Sequence, residues 1–189
     1  MQKLLILDNH DSFTYNLVQL IEQQGQWDFD IRKNNEISLE EVDVYHKILL
    51  SPGPGLPSEA GIMPELLKKY VSQKSILGVC LGHHAIAETF GGELYNFKQP
   101  VHGMVRKIRV LEEDVLFQTL PPNFEVGLYH SWAVSQNNFP EELKITAISE
   151  KGVIMALQHK IYDIRSVQFH PESIMTAYGK DIIYNWLES

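Results

Sequence analysis

Apolar residues fill most of "KLLILD" (3–8), the pattern of a strand covered on both faces. The next segment, "SFTYNLVQLIEQQG" (12–25), spaces Phe13, Leu17, Leu20 and Ile21 at helical intervals. Ser12 is its candidate N-cap and Gly25 its candidate stop. "FDIR" (29–32) and "KILLS" (47–51) predict further strands, and the prolines and glycines of "SPGPGLPSEAG" (51–61) predict a loop. "MPELLKKYVSQ" (63–73) reads as a helix with Pro64 in its first turn. "SILGVC" (75–80) reads as a strand, and "GHHAIAETFGG" (82–92) as a helix stopped by paired glycines.

The second half loses this alternation. "MVRKIRVL" (104–111), "FEVGLYHSWAVS" (124–135), "LKITAISE" (143–150), "VIMALQHK" (153–160) and "YDIRSVQFH" (162–170) are all strand-like. Gly152 and Asp163 mark turns short enough for a meander. A final helix is predicted over "AYGKDIIYNWLES" (177–189). Strand–helix alternation implies a parallel sheet with helices on both faces. The expected fold is therefore α/β, an open, mostly parallel twisted sheet with a C-terminal antiparallel strand extension. No repeat, low-complexity tract or linker divides it, so residues 1–189 are expected to form a single domain.

Composition narrows the function. The chain carries 24 acidic and 16 basic residues, a formal net charge of −8, which lacks the basic footprint of a nucleic-acid binder. Its single cysteine excludes an internal disulfide and suits a reducing compartment. The apolar start of "MQKLLILDNHDS" is too short for a signal-peptide core, and no apolar run reaches membrane-spanning length. A cytoplasmic protein without membrane contact is expected.

That cysteine carries the sharpest signal. Cys80 sits in Gly78-Val79-Cys80-Leu81-Gly82, between a predicted strand and a predicted helix. This is the arrangement of a nucleophile elbow, with flanking glycines that let strand and helix approach closely. A helix start favours a thiolate, and the N–H of Leu81 could face an oxyanion beside the sulfur. A lone buried cysteine packed as a small hydrophobe would fit the same position. Of eight histidines, His83 and His84 are neighbours on a helix, face different ways and make no chelating pair. His170 lies in "VQFHPES", and Pro171 restricts it to an extended conformation. Residues two apart on an extended segment share a face, so Glu172 could reach the His170 ring and fix its tautomer. Taken alone, "HPE" is equally a turn after a strand, and the glycines of "SPGPG" equally a tight turn. In a functional reading, Gly53 or Gly55 brings a backbone N–H to the oxyanion.

Together, "GVCLGH", "SPGPG" and "VQFHPES" resemble the triad, or class I, glutamine amidotransferases. The opening "LDNHDSFTYNLVQ" and "YHS" at 129–131 are similar to the glutaminase subunits of anthranilate synthase and aminodeoxychorismate synthase. The likeness runs nearly end to end, with the motifs in the family's order. It implies that Cys80 forms a thioester with L-glutamine, that His170 is the base and that Glu172 orients it. It implies an oxyanion hole at Leu81 and Gly53, and a glutamine pocket of Gly53, Pro54, Gly55, His84, Ser131 and Trp132. It implies ammonia delivery to a separate chorismate-binding subunit, component I, and requires no metal or other cofactor.

Two positions depart from the family. Where it usually has a glutamine-binding Gln, this chain has His84, bulkier and without the amide's paired donor and acceptor. Where Leu usually follows "YHS", this chain has Trp132. Trp132 and "QPVHGMV" (99–105) bias the expected product towards aminodeoxychorismate, and His102 in that loop is assigned no chemistry. Two readings compete: a non-catalytic module that stabilises its partner, and a stand-alone hydrolase of γ-glutamyl compounds. The complete Cys80–His170–Glu172 set opposes the first, and the "DNHDSFTYN" opening opposes the second.

Overall fold

The computed structural model describes residues 3–189. One mixed sheet of nine strands organises them, in the order β2-β1-β3-β4-β9-β8-β7-β5-β6. Its parallel part comprises β2 (Asp28–Lys33), β1 (Lys3–Asp8), β3 (Lys47–Leu50), β4 (Ser75–Val79) and β9 (Ile164–Val167). Antiparallel pairing then continues through β8 (Ile154–His159), β7 (Leu143–Ser149), β5 (Leu94–Val110) and β6 (Asn123–Val134).

The two-residue period of β1 divides the core between the faces of the sheet. Leu4 and Ile6 join a cluster with Leu17 and Ile21 of α1 (Thr14–Gln24) and Ile182 and Trp186 of α4 (Gly179–Glu188). Leu5 and Leu7 join the opposite cluster with Leu66 and Leu67 of α2 (Met63–Tyr70) and Ala85 and Ile86 of α3 (Leu81–Thr89). Helices therefore cover both faces, as the unbroken apolar runs of β1, β3 and β4 require. No helix among the described residues is long and apolar enough to cross a membrane.

Four sequence expectations need correction. Ser12 does not cap α1, which begins at Thr14 behind Phe13. Instead, Asp8 Oδ1 accepts from the Thr14 hydroxyl and the Asp11 N–H, while Asp11 Oδ1 accepts from the Phe13 N–H. The helix expected over 63–73 ends at Tyr70. Strand β5 starts at Leu94, ten residues before the expected 104, with register shifts between Asn96 and Val101 and between His102 and Met104. Finally, β9 ends at Val167, so His170 lies in the loop beyond the strand.

Candidate active site

The carboxyl ends of β4 and β9 lie side by side, with Val79 paired to Val167. Cys80 follows Val79 at φ 52° and ψ −96°, outside the ordinary regions for a residue with a side chain. Such a backbone costs on the order of 1–3 kcal/mol and persists only when its surroundings enforce it. Here the Cys80 N–H donates to the Val167 carbonyl at 2.9 Å, and the Cys80 carbonyl accepts from the His84 N–H at 3.1 Å. A Cβ on Gly78 would lie 2.6 Å from the Gly82 carbonyl carbon, and one on Gly82 would lie 2.7 Å from Leu50 Cβ. The two glycines are what allow α3 to start against the sheet.

His170 is bracketed by backbone. Its N–H donates to the Gly127 carbonyl at 3.1 Å, and its carbonyl accepts from the Thr176 hydroxyl at 2.6 Å. That hydroxyl also accepts from the Gly127 N–H at 3.0 Å, closing a small network. Glu172 reaches the imidazole, but not along an extended segment. The Ser173 N–H donates to the His170 carbonyl at 3.2 Å, so residues 170–173 form a turn with Pro171 second. Within it His170 Nδ1–H donates to Glu172 Oε1 at 2.6 Å, with both side chains buried. His170 Nε2 is buried and has no protein acceptor among the described residues. Phe13 and Tyr129 wall the ring edge-on, with centroids 5.4 and 5.0 Å away. Burial alone pushes the imidazolium down. The neighbouring Cys80 sulfur, with the hydrogen bond and charge of Glu172, outweighs it and raises His170 to about 10.

A cavity of about 260 Å³ opens in front of the sulfur. It is lined by Gly53, Pro54, Gly55, Cys80, Leu81, His84, Ser131 and Trp132, together with Tyr129 and His130. A larger, open hollow of about 1090 Å³, lined by residues including Phe117, Lys144 and Arg165, contains none of these groups. Of the thiol, imidazole and carboxylate, the thiol lines the smaller cavity, which makes that cavity the candidate chemical site.

Gly53 is pressed against both walls of the cavity. An added Cβ would lie 2.6 Å from Asn9 Cβ and 2.7 Å from Leu81 Cδ2. The N–H groups of Gly53 and Leu81 find no acceptor among the described residues, as is usual for the first N–H of a helix in the case of Leu81. Sequence reasoning missed what holds this loop. The Asn9 N–H donates to Ser51 Oγ at 2.9 Å, and Asn9 Nδ2 donates to the Ser51 carbonyl at 2.8 Å. Asn34 Nδ2 donates to Asn9 Oδ1 at 3.0 Å. The traces of this network in the sequence are Asn9 within the opening motif and Ser51 at the head of "SPGPG".

The histidines around the site divide by environment. His83 pairs with Ser166 Oγ at 2.8 Å, and burial pushes its ring well below the usual histidine range. His84 Nε2–H donates to Gln168 Oε1 at 2.8 Å, and burial lowers it to about 4 despite that bond. His130 Nδ1–H donates to the Trp132 carbonyl at 2.7 Å, and burial lowers it too. His102 packs edge-on against Tyr129 at 5.2 Å. Three buried rings are thus held neutral beside one, His170, that is held charged.

The class I glutamine amidotransferase family matches residues 5–189, and the chain belongs to that family. It is a glutamine amidotransferase. A Haemophilus influenzae protein assigned as anthranilate synthase component II is 48% identical over 98% of this chain and 95% of its own length. Aminodeoxychorismate/anthranilate synthase component 2 of Bacillus subtilis is 38% identical over 98% of this chain and 96% of its own. Among solved structures, a Thermoplasma acidophilum protein assigned to GMP synthase superposes with a TM-score of 0.88. It is 29% identical and covers 100% of this chain and 93% of its own.

Proposed function

We propose that this chain is the glutaminase subunit of a chorismate-using synthase, with Cys80 as its nucleophile. The observation that carries the reading is a thiol at a strained helix start, beside the buried His170–Glu172 pair and facing a cavity. Cys80 sulfur attacks the side-chain carboxamide carbon of L-glutamine. The thiol proton already rests on the charged His170, which passes it to the departing nitrogen, so ammonia leaves and a glutamyl thioester remains. The N–H groups of Leu81 and Gly53 receive the oxyanion of the tetrahedral intermediate. Water, deprotonated by His170, then releases glutamate and restores the thiol. Gly53, Pro54, Gly55, His84, Ser131 and Trp132 bound the substrate.

The ammonia passes to a chorismate-binding component I subunit, which forms anthranilate or 4-amino-4-deoxychorismate. Both products are named among the relatives. The surface beside the site supports a docked partner. Ile174, two residues after Glu172, is 99% exposed, and Tyr15, two residues after Phe13, is 64% exposed. Between them lies Tyr129, whose hydroxyl hydrogen-bonds Ser173 Oγ at 3.3 Å and whose ring meets Phe13 at 5.1 Å.

Reconstitution with each component I subunit of the same host, with glutamine as sole nitrogen source, tests the reading. Anthranilate or 4-amino-4-deoxychorismate should form with at least one partner. Formation of neither, despite activity of the partner with ammonium salt, overturns it.

A further inference from the structure

Gln168 is a buried polar side chain set against the sulfur to which the proposed reaction gives no task. It lies just beyond β9, fully buried, with its amide between α3 and Cys80. Its Oε1 accepts from His84 Nε2–H at 2.8 Å, and its Nε2 donates to Cys80 Sγ at 3.8 Å. We propose that Gln168 is a positioning residue that holds the Cys80 thiolate, and that His84 fixes its amide with the NH₂ towards sulfur.

The argument rests on which atoms can face one another. An amide presents two donors on one side and an acceptor on the other. A neutral imidazole has one N–H. With that proton on Nε2 of His84, Gln168 must offer its oxygen to the ring and its NH₂ to the sulfur. With the amide reversed, the carbonyl oxygen would face the sulfur and repel a thiolate. A 3.8 Å contact is long for a neutral thiol and shortens as negative charge develops on sulfur. His84 can do this work without touching substrate. The Gln found at its position in related chains can do the same, since its own NH₂ also donates.

This proposal rests on Cys80 being the nucleophile, but its test reads the sulfur directly. The rate of alkylation of the intact chain by iodoacetamide is measured against pH, without glutamine. The groups near the sulfur that titrate or carry charge are His84 from α3, Tyr129 and His130 from β6, and His170, with Glu172 behind its ring, from the loop after β9. All are retained in Gln168→Met and Gln168→Glu. Each change should raise the pH midpoint of alkylation by about one unit, roughly a tenfold slower reaction near neutrality, with Glu the larger of the two. At pH well above the midpoint, both variants should regain the parent rate, which a site collapsed by misfolding would not do. His84→Leu should raise the midpoint as well, and His84→Gln should leave it in place. A midpoint unchanged or lowered in both Gln168 variants overturns the proposal, whether or not glutaminase activity survives. A shift in the Gln168 variants with none in His84→Leu overturns the part assigned to His84.

Discussion

His170 Nδ1 and Glu172 Oε1 lie 2.6 Å apart, with the imidazole almost wholly and the carboxylate wholly out of solvent. The carboxylate supports a proton that burial alone would expel. His170→Asn removes the base and should lower glutamine-dependent turnover on the order of a thousandfold or more. Glu172→Gln keeps the ring and the shape of the loop, so its loss should be at least about tenfold smaller. Steady-state kinetics of both variants in one assay checks the order, and the reverse order would exchange the two roles.

Cys80→Ala should abolish synthesis of product from glutamine while sparing synthesis from ammonium salt. The expected loss with glutamine is on the order of a thousandfold or more. An equal fall in both rates would mean that the chorismate chemistry depends on this cysteine, against the division of labour proposed.

His84→Gln should make the protein less sensitive to acid without raising the KM for glutamine. His84 is lowered from 6.5 to about 4 in the folded chain, burial being the main cause. The unfolded chain therefore takes up this proton first, and stability falls as pH drops from about 6.5 towards 4, by about 3 kcal/mol at the lower end. His83 and His130 are lowered as well and act in the same direction. His170 acts in the opposite sense. It is raised from 6.5 to about 10, so its contribution is complete below 6.5 and fades as pH rises towards 10. Melting temperatures of parent and variant between pH 7 and 4.5 test this, and parallel curves would refute it.

Gly78→Ala should destabilise the fold by about 2 kcal/mol and slow glutamine hydrolysis more than stability alone explains. The new methyl would sit 2.6 Å from the Gly82 carbonyl, forcing α3 and the residue at its start away from β4. Urea unfolding gives the stability change. Unaltered activity in the folded variant would show that the close approach is not needed for chemistry.

Ile174→Glu should leave stability within about 0.5 kcal/mol of the parent, because the side chain is 99% exposed. It should weaken binding to the component I subunit, measured by analytical ultracentrifugation of the mixture. Unchanged association would place the docking surface elsewhere.

The sequence disclosed some of this architecture more readily than the rest, for identifiable reasons. β1, β3 and β4 announce themselves because strands covered on both faces must be apolar throughout. Cys80 announces itself because the approach of strand and helix admits only glycine at positions 78 and 82, two residues to either side. β5 hides its first ten residues because it pairs with the edge strand β6, where Asn96, Lys98 and Gln99 can stay wet on both faces. Gln168, Asn9 and Ser51 hide for a different reason. A buried polar side chain is defined by its partners, and those partners are 42 residues from Asn9 and 84 from Gln168. The neighbour of β4 is likewise a matter of long-range pairing, which no local pattern records.

The pairing of β4 with β9 bears on the order of events during synthesis. Cys80 leaves the ribosome long before Val167, whose carbonyl takes its N–H, and before His170 and Glu172. Through that interval the nascent chain carries a thiol with neither its base nor its rigid turn. The slow, non-local closure of the sheet then becomes a safety interlock, arming the sulfur only when the cavity that confines its chemistry has formed.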